Sequence, residues 1–165
     1  AAGYDGLTVR NVARGAGVAP ATAYTYFGSR EHLVTEVFWR RLAELPETEL
    51  NGHGSTYARV VATLTDFALL VADEPEVAAA CSAAMLAADP DVRMLRDRIG
   101  AEMRRRLVLA LGDVSDAAVL HTLELAVSGA LLRAGMGHLS YSDLPELLGE
   151  VAGLVVGECT AGSQA

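Results

Sequence analysis

An all-α fold, with a module of short helices followed by a larger helical bundle, is predicted by three observations. Strand signals are nearly absent, because Val, Thr and Tyr rarely alternate with polar residues over runs of four to eight. Helix-start signals recur instead: Ser, Thr or Asp stands ahead of apolar-periodic runs, several with Pro in the first turn or an acid three residues on. Within those runs apolar residues return at helical spacing, as in Leu120, Leu123, Val127 and Leu131.

Taken in order, Thr8 precedes a short segment ending at Arg14, and Gly17 sits in the turn that follows. Ala19-Pro20 opens a second short segment to Phe27, with Pro where its missing N–H costs nothing. Ser29-Arg30-Glu31 reads as an N-cap with an acid in the first turn, opening a helix to about Leu45. The loop 46–54, rich in Pro, Asn and Gly, is the expected boundary between a domain at 1–45 and a second at 46–165. Five longer helices follow. Ser55 caps one to about Ala72, and Asp73-Glu74-Pro75-Glu76 has capping-box spacing for a helix ending near Ala88. Asp89-Pro90-Asp91 opens a long helix to about Leu111, stopped by Gly112. Ser115 caps a fourth to about His138, and Asp143-Leu144-Pro145-Glu146 opens a last one to about Glu158. The small, polar tail from Thr160 reads as frayed, and no internal repeat is present.

The composition sets limits on class. With 52% hydrophobic residues in 165, the chain is too apolar for disorder. No uninterrupted apolar run reaches the roughly 18 residues that span a bilayer, so a soluble chain is expected. Cys81 and Cys159 form neither a CxxC pair nor a disulfide framework, which favours a reducing, cytoplasmic setting. The first residues, Ala1-Ala2-Gly3-Tyr4, include no Met and no signal-peptide pattern, and the numbering is expected to begin inside a longer protein. All 13 basic residues are arginine. A net charge of −8 argues at face value against a nucleic-acid partner. The charge is unevenly spread, however: residues 1–43 carry +2 and residues 44–165 carry −10.

Two short helices joined by a tight turn, here Gly15-Ala16-Gly17-Val18, form the helix-turn-helix pattern. Leu7, Val9, Val12, Ala13, Val18, Ala23 and Phe27 pack the pair together, leaving Arg10, Pro20, Ala21, Thr22, Tyr24, Thr25 and Tyr26 to face outward. A helix with small residues at its start and hydroxyls along one face fits a DNA major groove about 12 Å wide. Tyrosine hydroxyls and Arg30 are within reach of phosphates. Spacing alone leaves a second reading open, in which Tyr24, Tyr26 and Phe27 are core aromatics of an αα-hairpin that binds nothing.

The residues say more than the spacing. Gly3-Tyr4-Asp5-Gly6-Leu7-Thr8-Val9-Arg10-Asn11-Val12-Ala13, then Ala16-Gly17-Val18-Ala19-Pro20-Ala21-Thr22-Ala23-Tyr24-Thr25-Tyr26-Phe27, then Ser29-Arg30-Glu31-His32-Leu33, closely resembles the DNA-binding region of TetR-family transcriptional regulators. The resemblance covers residues 3–40 and is most specific in the order T-x-Y-x-Y-F then S-[RK]-E-x-L; the remainder is similar only in helical architecture. It implies that Arg10 touches a base edge or phosphate, that Pro20, Ala21, Thr22 and Thr25 face the groove, and that Thr8, Tyr24, Tyr26 and Arg30 anchor the backbone. Two departures stand out. Members usually carry a further helix before the Gly-Tyr-Asp-Gly turn, and its absence here exposes apolar surface that needs a cover. Ala19 stands where members usually have Ser, which removes an N-cap worth about 1 kcal/mol.

The resemblance also implies a body that binds a small molecule and pairs with a second copy through its last two helices. Independently, Val151-Ala152-Gly153-Leu154-Val155-Val156 is apolar on nearly every side of a helix and must be buried on more than one. Leu123, Val127, Leu131, Leu147, Val151, Leu154 and Val155 are the expected dimer contacts, with a monomeric core helix as the alternative. Polar or soft residues among apolar ones mark a ligand pocket at Thr63, Phe67, Cys81, Met85, Met94, Met103, His121 and Glu124, although Met and Phe at such spacing also suit an ordinary core. The arginines at 93, 96, 98, 104, 105 and 106 read as a solvated face, or else as a partner for an anionic ligand group.

Enzymatic signatures are missing: there is no G-x-S-x-G, P-loop or dinucleotide fingerprint, and neither cysteine has an adjacent base. His121 and Glu124 lack the repeated Glu-x-x-His of di-iron bundles, so neither a metal nor a cofactor is expected. The expectation is a cytoplasmic, homodimeric, ligand-responsive repressor on double-stranded operator DNA, released by a small hydrophobic or amphipathic effector. The alternative is a helical small-molecule sensor that does not bind DNA.

Overall fold

The computed structural model describes residues 7–46 and 54–162, the side chains of 75–76 and 158–162 excepted. The Gly3–Gly6 motif, residues 47–53 of the expected boundary loop, the Cys159 side chain and residues 163–165 lie outside the described residues. Among those described, the fold is all-α, with α1 (Val9–Gly15), α2 (Pro20–Tyr26), α3 (Arg30–Glu44), α4 (Thr56–Leu69), α5 (Pro75–Met85), α6 (Pro90–Leu111), α7 (Ala117–Gly135) and α8 (Leu144–Gly162). Short 3-10 turns at Gly112–Val114 and Tyr141–Asp143 precede α7 and α8.

The local starts follow from side-chain chemistry. Thr8 accepts the Asn11 N–H at 3.1 Å and so caps α1. Gly17, at φ +68°, supplies the left-handed bend between α1 and α2 that a side chain would strain. Pro20 starts α2 behind Ala19, which makes no side-chain cap bond, as its lack of a hydroxyl requires. Ser29 and Ser55 cap α3 and α4 through the His32 and Ala58 N–H groups.

Three starts and several ends differ from the sequence reading. α7 is capped by Asp116, which accepts from the Ala118 and Val119 N–H groups, because the 3-10 turn at Gly112–Val114 carries the chain one residue beyond Ser115. At α5 the capping position is Glu74, whose carboxylate is paired with Arg41 on α3 instead of closing a capping box. At α8 the Tyr141–Asp143 turn runs directly into Leu144. α4 ends at Leu69, α5 at Met85 and α7 at Gly135, all short of expectation, whereas α8 continues to Gly162. The early end of α5 has a partner: Arg96 donates to the Met85 and Ala87 carbonyls at 2.6 and 3.0 Å, satisfying acceptors a helix end leaves unpaired.

α1 and α2 pack on each other, while α3 leaves them to lie against α5 and α6. In the body, α4 sits against α8 and α6, and α7 bridges α5 and α8. One continuous core joins these layers, from Val34, Phe38 and Leu42 on α3 through Leu64 and Phe67 to Leu107, Leu123, Leu148 and Val156.

α7 corrects one expectation. Counting uninterrupted apolar residues excludes every segment, yet α7 is long and apolar enough to cross a membrane once two charges are tolerated, although only 28% of that stretch is buried. Its inner face, with Leu120, Leu123 and Val127, is core; its outer face carries Leu125, which is 75% exposed.

Candidate nucleic-acid interface and internal cavity

On α1 and α2, Thr8, Arg10, Pro20, Ala21, Thr22, Tyr24, Thr25 and Tyr26 are all exposed, with Tyr26 71% accessible. The face is therefore a ledge of small residues and hydroxyls, as the sequence reading expects, and not a buried aromatic cluster. Thr25 donates its hydroxyl to the Thr22 carbonyl at 2.6 Å, leaving its oxygen lone pairs and methyl outward. Arg30 is half-buried, and its guanidinium donates to Glu31 at 2.8 and 3.0 Å. Behind the ledge, Val9, Ala13, Ala23, Phe27 and Leu33 line an apolar groove of about 360 Å³, at whose edge Val12 and Val18 are exposed instead of packed.

The module is fastened to the body at a joint of three segments. Phe27, at the end of α2, meets the His32 ring edge-on, centroids 5.8 Å apart. Ser29, which caps α3, donates its hydroxyl to Asp89 at 2.5 Å. The other Asp89 oxygen caps α6 by accepting from the Asp91 and Val92 N–H groups. One carboxylate thus serves two helix N-termini, where negative charge is favourable. The Ser29 hydrogen bond, followed by the backbone donors, holds the Asp89 carboxyl below its usual range. At the far end of α3, the buried Arg106 of α6 donates to the Leu45 and Pro46 carbonyls, both at 2.9 Å, and to Glu102 at 2.7 Å. Helix α3 is therefore tied to α6 at both ends.

Between these helices lies a cavity of about 250 Å³, open to solvent on the side of Leu86, Ser128 and Leu132. Its wall takes Phe38 from α3, Val71 after α4, and Ala78, Cys81, Ser82 and Met85 from α5, with Leu86 just beyond. Ile99 and Met103 come from α6, Ser128, Leu131 and Leu132 from α7, and Tyr141 from the 3-10 turn. Burial pushes the Cys81 thiol up to about 12, outweighing the nearby Arg41.

Of the eight sequence-expected ligand residues, the cavity brings together Cys81, Met85 and Met103. Thr63 and Phe67 are instead buried core on α4, Thr63 donating to the Arg59 carbonyl, because α6 and α8 close over that face. Met94 is 62% exposed on α6. His121 is exposed on α7, and Glu124 turns to Arg104 at 2.9 Å. The arginines do not gather toward a ligand. Arg98 covers Trp39 at 4.4 Å, Arg104 pairs with Glu124, Arg105 and Arg106 pair with Glu102, and Arg96 ties off α5. Phe38, Ser82, Ile99 and Tyr141 were missed, since helical spacing marks buried faces but not which buried face borders a void. Ser82 in an Ala-rich helix and Tyr141 beside two serines were the available polar signals.

The expected dimer contacts divide in the same way. Leu123 and Val127 are fully buried in the chain's own core, which corrects the reading for these two, while Leu131 is half-buried on the cavity wall. Val151 and Val155 are half-buried, whereas Leu147 is exposed and Leu154 is 68% accessible.

Residues 1–37 match the family model of bacterial regulatory proteins, tetR family. Uncharacterized HTH-type transcriptional regulators of Mycobacterium tuberculosis and Mycobacterium bovis are 48% identical over 156 residues, spanning 93% of this chain and 72% of theirs. A TetR transcriptional regulator from Rhodococcus sp. RHA1 superposes with a TM-score of 0.72 over 92% of this chain and 87% of its own, at 21% identity, a likeness of fold alone. The chain belongs to the TetR family of DNA-binding transcriptional regulators, with α1 and α2 as its helix-turn-helix.

Proposed function

We propose that this regulator is a homodimeric, cytoplasmic, non-enzymatic repressor that a small hydrophobic or amphipathic effector releases from operator DNA. Residues 1–45 form the DNA-binding domain and residues 46–165 the effector and dimer domain. Pro20, Ala21, Thr22 and Thr25 face the major groove. Thr8, Tyr24, Tyr26 and Arg30 hold phosphates, and Arg10 reaches a base edge or phosphate. Arg30 reaches DNA by exchanging its Glu31 contact for a phosphate.

The observation that carries the reading is the position of the cavity against the joint. Phe38 of α3 and Ile99 and Met103 of α6 form its wall, and those two helices are tied to each other and to Phe27 of the module. An effector that prefers one placement of α6 shifts α3 with it and changes the separation of paired modules, which must match major grooves roughly 34 Å apart. It acts only through its differential affinity for the two placements. The exposed Leu125 on α7 and Leu147 and Leu154 on α8 support a second copy as their cover.

Filling the cavity tests the coupling without a known effector. Met103→Trp is expected to change affinity for the protein's own upstream DNA at least tenfold, with the helical circular-dichroism signal retained. Unchanged affinity in a folded variant contradicts the coupling.

A further inference from the structure

We propose that the cavity selects a small uncharged molecule, its apolar body against Cys81, Met85, Ile99 and Met103 and a single hydroxyl or carbonyl group hydrogen-bonded at the Ser82–Tyr141 corner. This inference rests on the reading of the body as an effector domain and names the chemical class of that effector.

Among the described residues, the wall contains no carboxylate, guanidinium or imidazole. The arginines of α6 nearest in sequence to its cavity residues are occupied elsewhere: Arg96 on the α5 carbonyls, Arg98 on Trp39, Arg104 on Glu124. A ligand carboxylate or ammonium would lose part of its water against this apolar wall with no ion-pair partner on the wall itself, Arg41 being paired with Glu74, so an uncharged ligand is favoured. The two titratable groups on the wall are shifted toward their neutral forms by the same low-polarity surroundings, Cys81 up to about 12 and Tyr141 upward through burial.

The polar corner is built by close packing. A Cβ on Gly135 would lie 2.1 Å from the Ser82 Oγ and 3.6 Å from the Tyr141 hydroxyl, so both hydroxyls converge over a helix that only glycine lets approach. Ser82 donates to the Ala78 carbonyl at 3.1 Å and is the hydrogen-bonding neighbour of Tyr141. With the Ser82 proton on the Ala78 carbonyl, the corner offers acceptor lone pairs to a ligand hydroxyl, and the Tyr141 O–H can turn from Ser82 to a ligand carbonyl. At about 250 Å³ the space falls just below the range that holds drug-sized molecules, which restricts the occupant to a small one.

The methionines provide the readout. Met85 and Met103 line the cavity, whereas Met94 and Met136 are exposed and serve as internal controls. In the full chain with 13C-methyl methionine at pH 7, octan-1-ol and octan-2-one are expected to shift the Met85 and Met103 signals saturably and leave Met94 and Met136 in place. Octanoate and octylammonium are expected to bind at least tenfold more weakly. Tyr141→Phe is expected to weaken octan-1-ol at least fivefold while xenon, an apolar cavity probe, still shifts Met85 and Met103. Equal or tighter binding of octanoate or octylammonium overturns the neutral class, and an unchanged affinity for octan-1-ol in Tyr141→Phe overturns the hydrogen-bonding corner. Failure of every probe, xenon included, to move Met85 or Met103 removes the effector site itself.

Discussion

At the scale of single residues, Cys81 shows how burial decides chemistry that sequence context leaves open. It lies at 3% exposure with its thiol toward the Val34 carbonyl, and burial lifts it from an ordinary thiol to about 12. Near neutral pH it is held as the thiol, and only the thiolate attacks electrophiles. In a Cys159→Ser background, Cys81 is expected to react with a thiol-specific disulfide reagent at pH 8 about a thousandfold more slowly than in the same chain unfolded in urea. Equal rates in the two states would show the side chain to be accessible and ionisable. Among the exposed residues the logic reverses. Tyr26 and Tyr24 are large aromatics left in water on a short helix, and such exposure is informative only because the same face carries Thr22 and Thr25 and no acid.

At the scale of elements, the joint between α3 and α6 carries the sharpest energetic statement. Ser29 caps one helix while donating to the carboxylate that caps the other, so Ser29→Ala removes both contacts and is expected to cost about 1–2 kcal/mol in a urea melt. The pH dependence has a definite sign. The Asp89 carboxyl is held below its unfolded value, so its contribution is complete above the ordinary carboxylate range near 4 and is lost as pH falls through the lowered value. The stability gap between the native chain and Asp89→Asn is therefore expected to close as pH falls from 6 to 2.5, and a gap independent of pH would place the effect elsewhere. Elements were also where the sequence was most legible. Thr8, Ser29, Ser55 and Asp89 cap the helices the sequence assigns to them, because a cap is a contact within three residues. The capping box at 73–76 does not form, with Glu74 at the cap position and its carboxylate on Arg41, and the 3-10 turn at Gly112–Val114 moves the α7 cap from Ser115 to Asp116. The cavity was legible only in part. Met103 and Met94 lie nine residues apart on one amphipathic helix, yet one faces a void and the other water, a distinction set by the placement of α3, α5 and α7.

At the scale of the whole molecule, the uneven charge assigns tasks to the two halves. The first 43 residues carry +2 and the remainder −10, so the acidic body disfavours non-specific approach to phosphates and leaves the helix-turn-helix as the side that faces DNA. α7 and α8 each keep a second apolar face outside the core, with Leu125 and Leu154 the most exposed leucines on them. Leu125→Glu combined with Leu154→Glu is expected to convert a sedimenting dimer to monomers at micromolar concentration without loss of helical signal. An intact dimer would move the interface to another face. Paired modules are what make operator recognition specific, since two half-sites are read at once. The most direct measurement is fluorescence-anisotropy titration of the full protein against its own upstream duplex and a scrambled duplex, across salt concentrations. Binding to the upstream duplex is expected to be at least a thousandfold tighter, weakened by Tyr26→Phe, with Arg10→Ala weakening it further or lowering the salt slope by about 1. Equal affinity for both duplexes, or no binding to either, would contradict operator recognition and favour a small-molecule sensor that does not read DNA.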